Sequence, residues 1–310
     1  MSIRVAIDCD PGHDDALALL LAAGLPEIDL RAITTVSGNH SIERTTENAL
    51  RICALGGIRD VPVAIGADRP LEREREAAQS IHGETGLDGA RLPVPDREPD
   101  SRSALELLCD VADEGIFTLI ATGPLTNIAK ALPAVRGRVE RIVLMGGSAI
   151  GGNWTPAAEF NIWCDPEAAD IVFRSGLPVE MIGLDLTHQA LATPAVRARI
   201  RSLGSVGESM DDLLGFFADA YRDVFGFAAP PVHDACAVAC VARPGLVSGA
   251  LRYVAIETLG VHTRGATVVD VHNRTGEPAN ALVHDRLDVD GFWDLVVAAL
   301  GRLPVVTVTN

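Results

Sequence analysis

The 310-residue chain predicts a three-layer α/β/α fold, Rossmann-like, with a largely parallel central sheet and a small additional β excursion late in the sequence. Strand-length apolar runs alternate with helix-period segments, and most of the runs end in turns rich in Gly or acid. The composition, 48% apolar, supplies a large core, and no linker, low-complexity tract or internal repeat divides the chain, so residues 1–310 are expected to form one domain.

Ile3-Arg4-Val5-Ala6-Ile7 reads as a short buried strand and Ala16 to Ala23 as a helix of strong helix formers stopped at Gly24. Pro11-Gly12 forces the turn between them. Leu30–Val36 is a second strand, followed by a helix from about Ser41 to Leu55 whose Ser41, Thr45 and Thr46 suit its first turns. Val61–Ile65 is a third strand, expected at the periphery because of Pro62. Asp68 to Asp100 is charged and rich in Pro and Gly, the signature of a long functional loop. Phe117–Ala121, Arg141–Met145 and Val179–Leu184 supply further strands. Thr193 to Phe227 turns helical, and Asp234 to Val241 reads as a buried helix with Ala, Cys and Val on every side. Tyr253–Ile256 and Thr267–Val271 form the β excursion, and a helix from about Gly291 to Leu300 closes the chain.

The chemistry is concentrated between the first strand and the first helix. Asp8-Cys9-Asp10-Pro11-Gly12-His13-Asp14-Asp15 places four carboxylates within eight residues, beyond the carboxyl end of a strand, where open α/β sheets bind ligands. At an effective dielectric near 20, two such charges about 4 Å apart repel by about 4 kcal/mol. Helix-dipole stabilisation explains one or two acids at a helix start, not four. A hard divalent cation with oxygen ligands removes the repulsion.

That segment resembles the N-terminal signature of the inosine-uridine nucleoside hydrolases, which cleave the N-glycosidic bond of ribonucleosides. The resemblance continues in order through Val36-Ser37-Gly38-Asn39, Ile81-His82-Gly83-Glu84-Thr85-Gly86-Leu87-Asp88-Gly89, Thr122-Gly123-Pro124-Leu125-Thr126-Asn127, Leu144-Met145-Gly146-Gly147, Ala158-Glu159-Phe160-Asn161 and Pro231-Val232-His233-Asp234-Ala235. It implies a calcium ion held by Asp10, Asp15, the Thr122 carbonyl and Asp234. Those are hard oxygen donors in a flexible shell, whereas the tighter octahedron of magnesium suits fewer protein ligands. It further implies Asp10 as the general base for an attacking water, with an oxocarbenium-like transition state. Asp14, Asn39 and Asn161 would hold the ribose 2′ and 3′ hydroxyls, and Asn153 and Glu159 the 5′ hydroxyl. His82 would line the base pocket, and His233, directly before the late metal Asp, would face the leaving base as an acid. Taken singly, the three Asn residues are also ordinary turn formers, Glu159 an ordinary surface acid and each His an ordinary core residue. One departure stands out. Some pyrimidine-preferring relatives carry Tyr about eight positions before this His, where the chain has Phe225, so a tyrosine relay requires Tyr221, one helical turn earlier, to stand in. Base preference is left between pyrimidine nucleosides and broad inosine-uridine use. The resemblance also implies a homodimer or homotetramer.

Composition limits the alternatives. A net charge of −16 opposes binding to nucleic acid, but a free nucleoside carries no phosphate and meets no such objection. The longest apolar run is too short for a bilayer span and no signal-peptide pattern opens the chain, so a cytoplasmic location is expected. The six cysteines lack CxxC spacing and are expected reduced and buried. Cys236 and Cys240 share a helical face, but two thiols with no nearby His pair make an incomplete soft-metal site. An Asp-x-Asp after the first strand also occurs in phosphotransferases of the haloacid dehalogenase type. Those need a later lysine, and Lys130 is the single lysine here. A non-catalytic nucleoside-binding protein on the same fold is the other alternative.

Overall fold

The computed structural model describes residues 2–75 and 79–304. Element by element, the chain runs β1 (Ile3–Cys9), α1 (His13–Gly24), β2 (Ile28–Thr35), α2 (Ile42–Gly56), β3 (Val63–Ile65), α3 (Gln79–His82), β4 (Asp100–Ser103), α4 (Ala104–Glu114), β5 (Phe117–Ala121), α5 (Thr126–Val135) and β6 (Val139–Met145). It continues through α6 (Phe160–Cys164), α7 (Pro166–Phe173), β7 (Val179–Ile182), α8 (Leu184–Thr187), α9 (Pro194–Arg201), α10 (Ser205–Phe225) and α11 (Asp234–Ala242). β8 (Val247–Arg252), β9 (Val254–Ile256), β10 (Thr267–Val269), β11 (Ala281–Leu287) and α12 (Val289–Leu300) complete it.

Among the described residues, nine strands form one sheet in the order β4-β3-β2-β1-β5-β6-β7-β11-β8, parallel throughout except for β8, which runs antiparallel to β11. The centre of β1, Val5 to Cys9, is fully buried, as a central parallel strand covered on both faces must be. On one face α1, α2, α10, α11 and α12 pack a core around Leu17, Leu21, Val238 and Phe292. On the other, α4, α5 and α7 pack a second core around Leu108, Ile128 and Phe173. These are the three layers. Strand order reverses between β1 and β5, so the loops after Cys9 and Ala121 splay apart and leave a crevice at the carboxyl edge. Backbone bonds Val36 N→Cys9 O (2.9 Å) and Thr122 N→Asp8 O (2.8 Å) hold the flanking loops to the end of β1.

Several expectations need correction. β3 is not peripheral, because β4 pairs outside it. Pro62 precedes β3, and its carbonyl accepts from Ile33 N at 3.0 Å, so the missing N–H costs no ladder bond. The 68–100 stretch is not loop throughout, since it holds α3 and leads into β4; Glu76–Ala78 within it lie outside the described residues. The 193–227 segment is two helices, separated at Gly204, whose φ of +81° lies in the left-handed region that glycine favours. β9 and β10 form the expected separate two-stranded excursion, but β8 and β11 on either side of it belong to the main sheet.

Candidate active site

Helix α1 begins at His13, so Asp14 and Asp15 occupy its first turn, where the backbone amides favour negative charge. Gly12 N donates to Asp15 Oδ2 at 3.0 Å and Thr122 Oγ1 donates to Asp15 Oδ1 at 2.8 Å, which fixes that carboxylate between the β1 and β5 loops. Asp234 opens α11, a helix packed against α1, and its neighbour His233 donates its backbone N–H to Asp14 Oδ2 at 3.2 Å. Carboxylate oxygens of Asp14, Asp15 and Asp234 therefore all lie within 4.8 Å of one another, buried. Asp10 stands beside them. Its Oδ2 accepts from Asn39 N at 2.6 Å, and its Oδ1 is buried with no hydrogen-bond partner among the described residues.

Burial alone raises Asp14 to about 6. Burial, then the charge of Asp14, raises Asp15 to about 7. Asp10 and Asp234 are likewise pushed well above the ordinary carboxylate value, by burial first and then by neighbouring aspartates. Four buried acids, an orphaned carboxylate oxygen and an all-oxygen donor set fit a hard divalent cation. The tightest carboxylate trio includes Asp14 rather than Asp10, and the Thr122 carbonyl accepts from Asn161 Nδ2 at 2.9 Å.

The crevice above the acids is lined by Asp14, Asn39, Ile81, His82, Thr122, Met145, Asn153, Trp154, Glu159, Phe160, Asn161, Phe217, Tyr221, Phe225, His233 and Asp234. It thus gathers Asp14, Asn39, His82, Asn153, Glu159, Asn161, Tyr221 and His233, all singled out in the sequence. Asn39 Nδ2 donates to the Asp10 carbonyl at 3.1 Å. Glu159 caps α6 by accepting from Asn161 N (3.0 Å) and Ile162 N (3.2 Å), and also takes Gly147 N at 2.9 Å. Burial raises it to about 7 despite those amides. Asn153 Oδ1 accepts from Phe160 N at 3.0 Å, pinning the loop that leads into α6.

His233 bridges two hydroxyls, Tyr221 Oη at 2.7 Å from Nε2 and Thr187 Oγ1 at 2.8 Å from Nδ1. Burial lowers its pKa to about 3, so the ring is neutral near pH 7 and exactly one of its nitrogens carries a proton. Tyr221 thus places its hydroxyl against His233, and Phe225 packs on its ring with centroids 5.0 Å apart. His82 sits 3.1 Å from His13 (Nδ1 to Nδ1) and stacks on Phe217, and burial holds its pKa well below the usual value.

Asp8, counted in the sequence among four carboxylates that call for a cation, is held outside the acid trio, and sequence reasoning assigned no role to His13, Asn127 or Thr187. Asp8 is structural. Its Oδ1 accepts from Thr34 Oγ1 (2.5 Å) and Asn127 Nδ2 (2.7 Å), tying β1 to β2 and α5. His13 braces His82 and reaches the Asp88 carbonyl through Nε2 at 2.8 Å. Its place between two turn residues and two acids was the available signal. Thr187 had none, because its contact with His233 exists only in the folded chain.

Comparison with known proteins agrees with this geometry. A 49%-identical relative from Photobacterium profundum, aligned over 97% of this chain and 100% of its own, is named pyrimidine-specific ribonucleoside hydrolase RihA. A relative of the same name from Enterobacter sp. (strain 638) is 45% identical over 98% of this chain and 100% of its own. Among solved structures, a purine-preferring ribonucleoside hydrolase from Gardnerella vaginalis superposes with a TM-score of 0.90 at 34% identity, covering 96% of this chain and 98% of that one. A plant nucleoside hydrolase, PpNRh1, also gives 0.90, at 31% identity over 97% and 99% of the two chains. The family model described as inosine-uridine preferring nucleoside hydrolase matches residues 5–294, and the chain belongs to that family.

Proposed function

We propose that the chain is a calcium-dependent ribonucleoside hydrolase that releases ribose and a free base, with pyrimidine nucleosides preferred. The observation that carries this reading is the convergence of Asp10, Asp14, Asp15 and Asp234 beneath a pocket lined by Asn39, Asn161, Glu159, His82 and His233. The pyrimidine preference is supported by the relatives named pyrimidine-specific at 45% to 49% identity. Asp10, Asp15, Asp234 and the Thr122 carbonyl would hold the ion, with Asp14 adjoining. When bound, calcium supplies a site that acidifies a coordinated water and anchors ribose hydroxyls.

The chain's own groups carry the remaining steps. The unpaired Oδ1 of Asp10 accepts the proton of the attacking water. Asp14, Asn39 and Asn161 hold the 2′ and 3′ hydroxyls, and Asn153 with Glu159 holds the 5′ hydroxyl. The buried carboxylates stabilise the positive charge that grows on the ribosyl ring as the glycosidic bond breaks. A 2′-deoxyribose leaves those polar groups unpaired and is rejected. Departure of the base is assisted by a hydroxyl chain. With Thr187 donating to His233 Nδ1 and His233 Nε2–H donating to Tyr221, the phenolic proton is free to point at the base, and His82 lines the pocket beside it. We read residues 1–310 as one catalytic unit, assembled as a homodimer or homotetramer in the cytoplasm. The test is ribose release from a panel of purine and pyrimidine ribonucleosides, which should be fastest on uridine or cytidine and absent on 2′-deoxyuridine.

A further inference from the structure

A second cluster of metal-ligating side chains lies on the α11 side of the sheet, built from β7, β11 and the end of α11 opposite Asp234. Glu180 on β7 and His284 on β11 point to the same face, because Leu282 is the register partner of Glu180 and His284 follows it by two residues. Cys240, in the last turn of α11, packs over them. His284 Nε2 is 2.9 Å from Glu180 Oε2, Cys240 Sγ is 3.3 Å from the same oxygen, and Sγ to Nε2 is 4.0 Å.

A tetrahedral zinc ion with metal–ligand distances of about 2.0–2.3 Å separates its ligand atoms by about 3.3–3.8 Å. The three observed distances bracket that range, so shifts of about half an ångström or less bring all three atoms onto one ion. One further feature favours a metal over a plain hydrogen-bonded trio. Arg141 donates to the other carboxylate oxygen, Glu180 Oε1, at 2.6 Å, orienting the ligand from behind while leaving Oε2 to the cluster. His284 Nδ1, buried with no hydrogen-bond partner among the described residues, takes the imidazole proton when Nε2 becomes a ligand. Cys236, one helical turn before Cys240, does not join. Its thiol donates back to the Val232 carbonyl at 3.3 Å.

We propose that Glu180, Cys240 and His284 form a zinc site, separate from the active site, that clamps β7, β11 and α11 together. Binding replaces the Cys240 thiol proton with the metal, releases that proton to solvent and shifts the His284 proton to Nδ1. One thiolate and one carboxylate then balance the charge of the ion, and a water completes the tetrahedron.

Cobalt(II) is the probe, because a thiolate ligand gives a sulfur-to-cobalt charge-transfer band that the all-oxygen active site cannot produce. With the active site saturated by calcium, one equivalent of cobalt should raise that band in the wild-type protein and in Cys236→Ser. Cys240→Ser should lose it, and His284→Gln should weaken binding at least tenfold. Zinc should raise the thermal midpoint of the wild type and leave that of Cys240→Ser unchanged, with ribose release normal in both. Absence of the band in folded wild type, or its survival in Cys240→Ser, overturns the proposal. If Cys240→Ser fails to fold, the decision passes to His284→Gln, where an undiminished band has the same consequence.

Discussion

Tyr221 shows most plainly how much of the site depends on single atoms. Its phenolic oxygen is 2.7 Å from His233 Nε2, so Tyr221→Phe keeps the ring packed against Phe217 and Phe227 and deletes only the hydroxyl. The expected result is a kcat on uridine lower by about 10² or more, with KM little changed, because general acid catalysis is lost while binding surface is kept. An unchanged kcat would remove Tyr221 from base departure. Glu159 gives a pH-dependent test. Its carboxyl is raised from 4.5 to about 7, mainly by burial, so between those values the folded chain holds a proton that the unfolded chain releases. The stability this contributes is fully present below about 4.5 and is lost as pH rises through about 7. In chelator, Glu159→Gln should therefore gain thermal midpoint relative to wild type between pH 5 and pH 8. A difference between the two proteins that stays flat across that range would contradict the buried, proton-holding description. The same residue illustrates what sequence conveys. Glu159 was visible through its motif, but its three backbone amide partners, which fix its orientation, were not.

Among the elements, the first strand and helix were legible because each is an almost continuous apolar, buried run and Pro11-Gly12 separates them. β4 was not, because Asp100-Ser101-Arg102-Ser103 is a short, part-exposed edge strand with no apolar pattern to betray it. β11 was missed for a related reason. Ala281 to Leu287 carries His284, Asp285 and Arg286, and its membership in the sheet is decided by pairing with β7 rather than by local propensity. The tie between elements is as informative as the elements. Asn127 at the start of α5 donates to Asp8 Oδ1 and to the Thr35 carbonyl (2.9 Å), and accepts from Ala67 N at 2.8 Å. Asn127→Ala strands a buried carboxylate, a carbonyl and an amide, and should destabilise by on the order of 2–3 kcal/mol in chemical denaturation. A loss below about 0.5 kcal/mol would show that these groups find other partners.

For the whole molecule, a switch point in strand order concentrates loops at one edge, and the loops concentrate acid. The concentration of acid was readable in advance from the four aspartates after a buried strand, but Asp8 is held by Thr34 and Asn127, and Asp234 takes its place beside Asp14 and Asp15. What the sequence could not supply is the pairing of Asp14 with Asp15 and Asp234 as the tightest trio, which depends on α11 packing against α1 across a separation of more than 200 residues. Because these carboxylates are buried and mutually repelling, calcium should stabilise the folded state. At a free concentration of about 100 times Kd the gain is about 2.7 kcal/mol, and chelation should lower the thermal midpoint accordingly. A midpoint indifferent to calcium would leave the acid cluster without its counterion.

The central claim is tested most directly by ribose release from uridine, measured on wild-type protein and on Asp10→Asn, each stripped by chelator and then restored with calcium. Full turnover is expected in calcium-restored wild type alone, with Asp10→Asn folded, able to bind the nucleoside and slower by a factor of about 10² to 10⁴. Full turnover by Asp10→Asn would contradict the assignment of the general base, and nucleoside binding without ribose release by calcium-restored wild type would contradict the hydrolase itself.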